Sequence, residues 1–358
     1  MLRRGTALNH CAFLAFDVGG TKVEAALAEV REGRVVRFDS VRIPTGNHHD
    51  FRGVVEAVEK ALPGESFGTL DGVAVAVAGP VVNGRASLTN VAWGVEEEWL
   101  RKRFSGARCR LINDMQAHGY AAVALLARRQ GRNIPDGLLV QNSEMFPEAH
   151  ADPHGSSCVI APGTGLGEGF IVWTGDQYIP VASEGGHASF SPINDEQMRL
   201  LNFLRHTQGH KHVSWERLVS GKFGLPNLLL FVTKELALKP ADPDLEKAVM
   251  EGGHPVQALT TAAASGDPVA GKVLEMFMGL MGQETGNLAL KVLATGGVFI
   301  SGGLAQRMNE LLKGKYLEAF REGMCAKGRF RPLLSKLPVT FLEDGQTALK
   351  GAMASVVI

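Results

Sequence analysis

The sequence predicts an α/β protein of two domains, each built on a mixed sheet, facing each other across a cleft. Three observations lead there. A strand–glycine turn–strand unit occurs twice, about 145 residues apart, first from Phe13 and again from Cys158; such a repeat implies duplicated halves. Buried β-branched runs alternate with segments of helical spacing. The chain is 358 residues long, more than most single cores organise. The expected division is a small domain of residues 1–124 joined by a closing helix, 345–358, and a large domain of 125–344.

The first half reads as follows. Phe13-Leu14-Ala15-Phe16 is a buried strand ending in Asp17, Gly19, Gly20 and Thr21. Two further strands, VEAALAEV and Arg34–Ile43, complete a meander with a turn at Glu32-Gly33. Phe51, Val54, Val55, Val58 and Leu62 fall at helical spacing, stopped by Pro63-Gly64. Val73–Ala78 is a strand buried on both faces, and Val81–Leu88 is a short hairpin leading to Thr89-Asn90. Arg110-Leu111-Ile112 is another strand, ending in Asn113-Asp114, and Met115–Arg129 is an Ala/Leu-rich helix.

Residues 130–157 lack periodicity and read as a long, partly mobile surface excursion near the domain boundary. The pattern then returns: strand Cys158–Ala161, the turn Gly163–Gly169, and strands Gly169–Thr174 and Gln177–Val181. Helices are expected at Asp195–His206 (stripe Met198, Leu201, Leu204), Ser214–Val219, Gly224–Leu238, Asp242–Met250, Pro255–Ala264 and Asp267–Leu293. Gly297–Ser301 is a buried strand running into Gly302-Gly303 and a helix, Val339–Leu342 a late strand, and Gln346–Val357 a closing helix that packs back on the first domain.

Composition narrows the function. Lys+Arg and Asp+Glu are both 37, so no excess charge points to nucleic acid or an anionic membrane, and the few aromatics are not interleaved with basic residues. Four scattered cysteines without CxxC spacing speak against zinc or a disulfide framework and for a reducing cytoplasm. The two arginines before the first apolar patch imitate a signal peptide, but the patch runs directly into Asp17 without a cleavage site. No apolar run approaches the roughly 20 residues that span a bilayer. His206, His210 and His212 cluster without a cysteine partner and read as solvated.

Four motifs carry possible chemistry. The turns DVGGT and GTGLG each follow a strand and offer backbone N–H groups and a hydroxyl, Thr21 or Thr164, to an anion. A plain hairpin turn is the other reading of the first. Neither is a Walker A loop, and neither has the GxGxxG spacing before a helix. Together, Asp17, Gly19, Gly20 and Thr21 with Gly163, Thr164, Gly165 and Gly167 suit a grip on one polyphosphate, with Asp17 placed to hold Mg²⁺. Asn113-Asp114 reads either as a helix N-cap or as a carboxylate taking a proton from a substrate hydroxyl. Glu184-Gly185-Gly186-His187 is either an exposed turn or a fan of polar groups for a polyol. Glu216 is either the third residue of a capped helix, reaching back to Ser214 or His212, or a further sugar ligand. Gly302-Gly303 allows close approach of a nucleobase or ribose, or tight helix–sheet packing.

In order, DVGGTK, LTN with Trp93 close behind, LINDMQA, APGTGLG, EGGHASF, HVSWERLVSG and GGVFISGGL resemble bacterial glucokinases of the hexokinase-like group, from about residue 13 to the C-terminus. The resemblance implies the actin-like ATPase (ribonuclease H-like) fold and transfer of the γ-phosphate of ATP, with Mg²⁺, to the 6-hydroxyl of glucose. It implies Asp114 as catalytic base, Asn90, Asn113, Glu184, His187 and Glu216 as glucose ligands, the two glycine turns as phosphate loops, and Gly302 and Gly303 at the adenosine. A cytoplasmic homodimer is expected. Lys22 stands where these glucokinases usually carry Asn and is the form seen in the related repressor–open reading frame–kinase (ROK) family, whose cysteine-rich zinc motif is absent here. Glu168 replaces a small apolar residue. The alternatives are a ROK-like kinase for another hexose and a catalytically silent sugar-sensing regulator.

Overall fold

The computed structural model describes residues 10–358 except 63–66, 68, 89–90 and 147. The chain divides into two compact units: Met1–Asn142 with Ile171–Ala182 and Glu343–Ile358, and Ser143–Phe170 with Ser183–Leu342.

The first unit contains β1 (His10–Val18), β2 (Lys22–Arg31), β3 (Arg34–Pro44), α1 (Phe51–Ala61), β4 (Gly72–Val77), the short strands β5 (Val81–Val82), β6 (Arg85–Ser87) and β7 (Gly94–Glu96), α2 (Glu97–Arg103), β8 (Arg108–Asn113) and α3 (Asp114–Arg129). Its main sheet runs β3-β2-β1-β4-β8, antiparallel across β1–β2 and β2–β3 and parallel across β1–β4 and β4–β8. Alternate residues of β1 enter different cores, as the period of two requires. Leu14, Phe16 and Val18 pack with Phe51 and Val54 of α1 and Leu100 of α2. Phe13 and Ala15 pack with Ala117 of α3 and with Leu349, Ala352 and Met353 of the closing helix Thr347–Val357. A boundary at 124/125 would cut α3, whose continuous turns lie against that closing helix. The unit therefore extends to Asn142 instead.

The other elements are β9 (Asn142–Glu144), β10 (Ser157–Pro162), β11 (Leu166–Trp173), β12 (Tyr178–Ser183), α4 (Asp195–Asn202), α5 (Gly224–Leu230), α6 (Leu245–Glu251), α7 (Pro255–Ala264), α8 (Pro268–Val292), β13 (Gly297–Ile300), α9 (Ala305–Leu311), α10 (Gly314–Cys325), α11 (Arg331–Leu334) and β14 (Val339–Leu342). The second sheet runs β12-β11-β10-β13-β14-β9. Apart from the added β9, this repeats the order of the first: the opening strand is central, its meander partners lie on one side, and later parallel strands lie on the other. The long α8 is buried over most of its length, and α10 approaches it closely. A Cβ on Gly282 or Gly323 would run into the other helix's backbone.

Several local expectations are corrected. Residues 130–157 are not a structureless excursion. Ile134, Leu138 and Val140 are buried, and β9 pairs onto the sheet edge. The helix after Asn194 ends at Asn202 and continues as a π turn, Phe203–Thr207. That places Leu200, Phe203 and Leu204 inside and leaves Met198 49% exposed. Ser214 opens only a 3₁₀ turn, Trp215–Arg217, with no side-chain cap. Among the described residues no helix is long and apolar enough to cross a membrane.

Candidate active site

In the first unit the register gathers the polar groups at the carboxyl ends of the parallel strands, where open α/β sheets bind ligands. Asp17 pairs with Ala76, and Ala76 with Ile112, so Asp17 and the Asn113-Asp114 pair emerge at the same edge. Asn113 caps α3: its Oδ1 accepts from the Met115 N–H at 2.8 Å, and its own N–H donates to Gln116 Oε1 at 3.2 Å. Its Nδ2 donates to the Gly79 carbonyl at 2.9 Å. Asp114, half-buried, is the first residue of the helix, and its Oδ1 accepts from the Met115 N–H at 2.8 Å. Cap and carboxylate thus coexist, because Asn113 does the capping.

Asp17 is crowded by negative charge. Burial raises its carboxyl to about 7, aided by the carboxylates of Asp114 and of Glu24, against the opposing pull of Lys22. Glu24 is its cross-strand partner and is itself paired with Lys22 at 2.8 Å and with Arg42. Lys22 is therefore held along the sheet rather than reaching out from the turn.

The glycine turn is a hairpin, with the Gly19 N–H donating to the Lys22 carbonyl at 2.9 Å. It is braced by Thr45, whose hydroxyl donates to the Gly19 carbonyl at 2.8 Å and whose N–H donates to the Thr21 carbonyl at 3.1 Å. Thr45 is fully buried, and sequence reasoning missed it. Its only signal was the Pro44-Thr45-Gly46 turn composition. Among the described residues no cluster of three or more His, Cys, Asp or Glu side chains forms a metal cage. Two neighbouring carboxylates, Asp17 raised chiefly by burial and further by the charge of Asp114, suit Mg²⁺, which takes one or two carboxylates and completes its shell with phosphate and water.

In the second unit three motifs meet. The segments after β12 and before α5 are zipped by backbone bonds, Phe190 N–H to Val213 at 2.9 Å and Trp215 N–H to Ala188 at 3.1 Å, and by the edge-on stacking of Phe190 on Trp215 at 5.0 Å. This brings Glu216 beside the Glu184–His187 loop. His187 lies between two carboxylates, Nε2 3.9 Å from Glu184 Oε2 and Nδ1 4.0 Å from Glu216 Oε1. Glu184 and His187 are largely exposed, while Glu216 is only 17% exposed. Instead of reaching back to Ser214 or His212, Glu216 accepts from the Leu166 N–H at 3.2 Å, beneath the second glycine turn.

That turn comprises Gly163–Gly165, closed by the Gly163 N–H to the Gly165 carbonyl at 2.9 Å. Gly167 lies inside β11 and not in the turn. A Cβ on Gly165 would overlap the Glu216 carboxylate and push it aside.

A pocket of about 500 Å³ opens beside this turn, lined by Gly163, Thr164, Lys222, His254, Gln257, Gly303 and Arg307 among others. Gly303 has open space where a Cβ would project. Gly302 does not line the pocket. It adopts φ +84° with its α-carbon against the Pro162 carbonyl, which is the packing role. Lys222 is brought in because the Gly221 N–H donates to the Gly163 carbonyl at 2.8 Å. Lys222 and Arg307 were not singled out from the sequence. The only available signal for Lys222 was its position directly after HVSWERLVSG. Asn90 lies outside the described residues.

The profile of a protein family described as Glucokinase matches residues 14–357. The glucokinase of Nostoc sp. is 34% identical over 351 residues, covering 95% of this chain and 97% of the relative. Among solved structures, a glucokinase from an Antarctic psychrotroph is 26% identical with a TM-score of 0.76, over 97% of this chain and 98% of that one. A ROK-family glucokinase from Streptomyces griseus, solved with glucose and AMPPNP, shares the fold at 22% identity and a TM-score of 0.58, over 96% of this chain and 98% of that one. The fold is thus the actin-like ATPase fold expected from the ordered motifs.

Proposed function

The chain belongs to the glucokinase family, and we propose that it transfers the γ-phosphoryl group of ATP to the 6-hydroxyl of glucose, with Asp114 as general base. The observation that carries this reading is the placement of Asp114 at the start of α3, its backbone locked by the Asn113 cap and its carboxylate beside Asp17. In the reaction the sugar O6–H gives its proton to the Asp114 carboxylate as the O6–phosphorus bond forms. The bond from phosphorus to the β-phosphate oxygen breaks, and ADP leaves.

Such transfer depends on positioning and charge neutralisation. Glu184, His187 and Glu216 supply a fan of acceptors and a donor for adjacent hydroxyls; Asn113 and Asn90 complete the proposed sugar ligands. The backbone and hydroxyls at Gly19–Thr21 and Gly163–Gly165 bind phosphate oxygens, and the pocket with Thr164, Lys222, Gly303 and Arg307 takes the nucleoside and its phosphates. Asp17 would hold Mg²⁺, which when bound neutralises phosphate charge. We take the enzyme to work in the cytoplasm as a homodimer, a reading supported for the compartment by its four free thiols.

Phosphate transfer measured over a panel of sugars and donors tests the proposal. The panel holds glucose, mannose, fructose and N-acetylmannosamine, each with ATP, ADP or polyphosphate. Glucose with ATP should have the highest kcat/KM. A different preferred hexose would move the chain to the ROK-like reading, and glucose binding without ADP formation would make it a silent regulator.

A further inference from the structure

Glu168 is a buried acid that the proposed mechanism does not use. It sits on β11, fully buried, and neither of its carboxyl oxygens has a hydrogen-bond partner among the described residues. Leaving such a group unmatched is costly. The acid abuts the sugar loop directly: a Cβ on Gly185 would overlap Glu168 Oε2, so the bare glycine backbone rests on the carboxyl. Gly185 is flanked by Glu184 and lies two residues before His187, and its N–H donates to Ser183 Oγ at 3.0 Å.

The group facing Glu168 from α8 is Glu284, also fully buried. Glu284 accepts from Asn287 Nδ2 at 2.8 Å and lies 3.4 Å from Lys291 Nζ. Lys327 is tied to Asn287 at 2.6 Å. From β10 the only titratable neighbour is the buried thiol of Cys158. Two carboxylates are both acceptors and repel. They become partners only when one of them carries a proton.

We propose that Glu168 is a positioning residue, protonated and sharing that proton with Glu284, whose neutral carboxyl supports Gly185 and so sets Glu184 and His187 for the sugar. The inference rests on the reading of that loop as the sugar site. Ionisation would put a second charge into the same buried space, draw water beneath Gly185 and loosen the loop. Burial and the facing Glu284 carboxylate both raise Glu168, to about 8, with Lys291 opposing, so the neutral form prevails at neutral pH. Sugar binding selects the protonated state and is therefore linked to uptake of a proton.

Calorimetric titration of glucose into the full chain, in two buffers of different ionisation enthalpy, reads that proton. The expected result is uptake of a fraction of a proton per glucose near pH 8 and none near pH 6. Glu168→Gln, a neutral isostere that can donate to Glu284, should bind glucose with no uptake at either pH. In kinetics, the KM for glucose should climb above pH 8 in the wild type, by up to about tenfold per pH unit, and stay flat in Glu168→Gln. Uptake that persists in Glu168→Gln, or is missing from a wild type that binds glucose, overturns the inference alone. Failure of the wild type to bind glucose overturns it together with the sugar-site reading. If Glu168→Gln does not fold, Glu284→Gln provides the test. Removing the facing charge should move the pH of greatest uptake downward, and an unmoved profile refutes the pairing.

Discussion

The carboxylate of Glu216 lies against the bare α-carbon of Gly165, its Oε2 taking the N–H of the next residue, Leu166, at 3.2 Å. A residue proposed for the sugar and a turn proposed for phosphate are thus one mechanical unit. Gly165→Ala should displace Glu216 and the turn together. We expect kcat/KM for glucose to fall by about 100-fold, the scale of a roughly 1 Å misplacement, with about 1–3 kcal/mol of stability lost to overpacking. Steady-state kinetics beside urea denaturation would separate these effects. Near-wild-type kcat/KM would show that Glu216 needs no such support.

Asp114→Ala removes the proposed base but leaves the Asn113 cap, whose side chain accepts from the Met115 N–H and donates to the Gly79 carbonyl. Its kcat should drop by about 10²–10⁴, the range for general base catalysis, while glucose binding by calorimetry stays within severalfold. Turnover at the wild-type rate would remove Asp114 from the role.

Asp17 gives a pH signature. Its folded-state carboxyl is raised to about 7, above its unfolded value, so between about pH 4 and 7 the folded protein holds a proton that the unfolded chain has released. Stability from this group is present below that window, falls as pH rises through it, and stays lost above it. Asp17→Asn lacks the penalty. Without Mg²⁺ it should match the wild type near pH 4 and exceed it by about 4 kcal/mol at pH 8, although it should be impaired in phosphate transfer. Urea midpoints across pH 4–9 test this, and equal stability of the two proteins at pH 8 would contradict it.

Lys222 and Arg307 border the pocket with Thr164 and Gly303. Replacing Arg307 by Ala should raise the KM for ATP by about tenfold, the worth of one charge-assisted hydrogen bond, and leave the KM for glucose unchanged. The same split is expected for Lys222→Ala. A rise in the glucose KM alone would assign the pocket to something other than the donor.

Much of this architecture was legible in the chain because its signals are local. The apolar runs Phe13–Phe16 and Val73–Ala78 specify buried strands, and the two glycine turns and Asn113-Asp114 mark strand ends. The duplicated sheet order follows from the repetition of that pattern. Spacing could not tell which partner a polar side chain would choose, since that depends on segments far apart in sequence. Glu216 bonds to a residue 50 positions away, Thr45 braces a turn 26 positions before it, and Glu168 faces Glu284 across a core. Gly302 and Gly303, adjacent and alike in sequence, differ because one α-carbon meets the Pro162 carbonyl and the other faces open space. Secondary structure answers to neighbours along the chain, whereas the protonation, burial and pairing of site residues answer to neighbours in space, and these exist only once the sheets have packed.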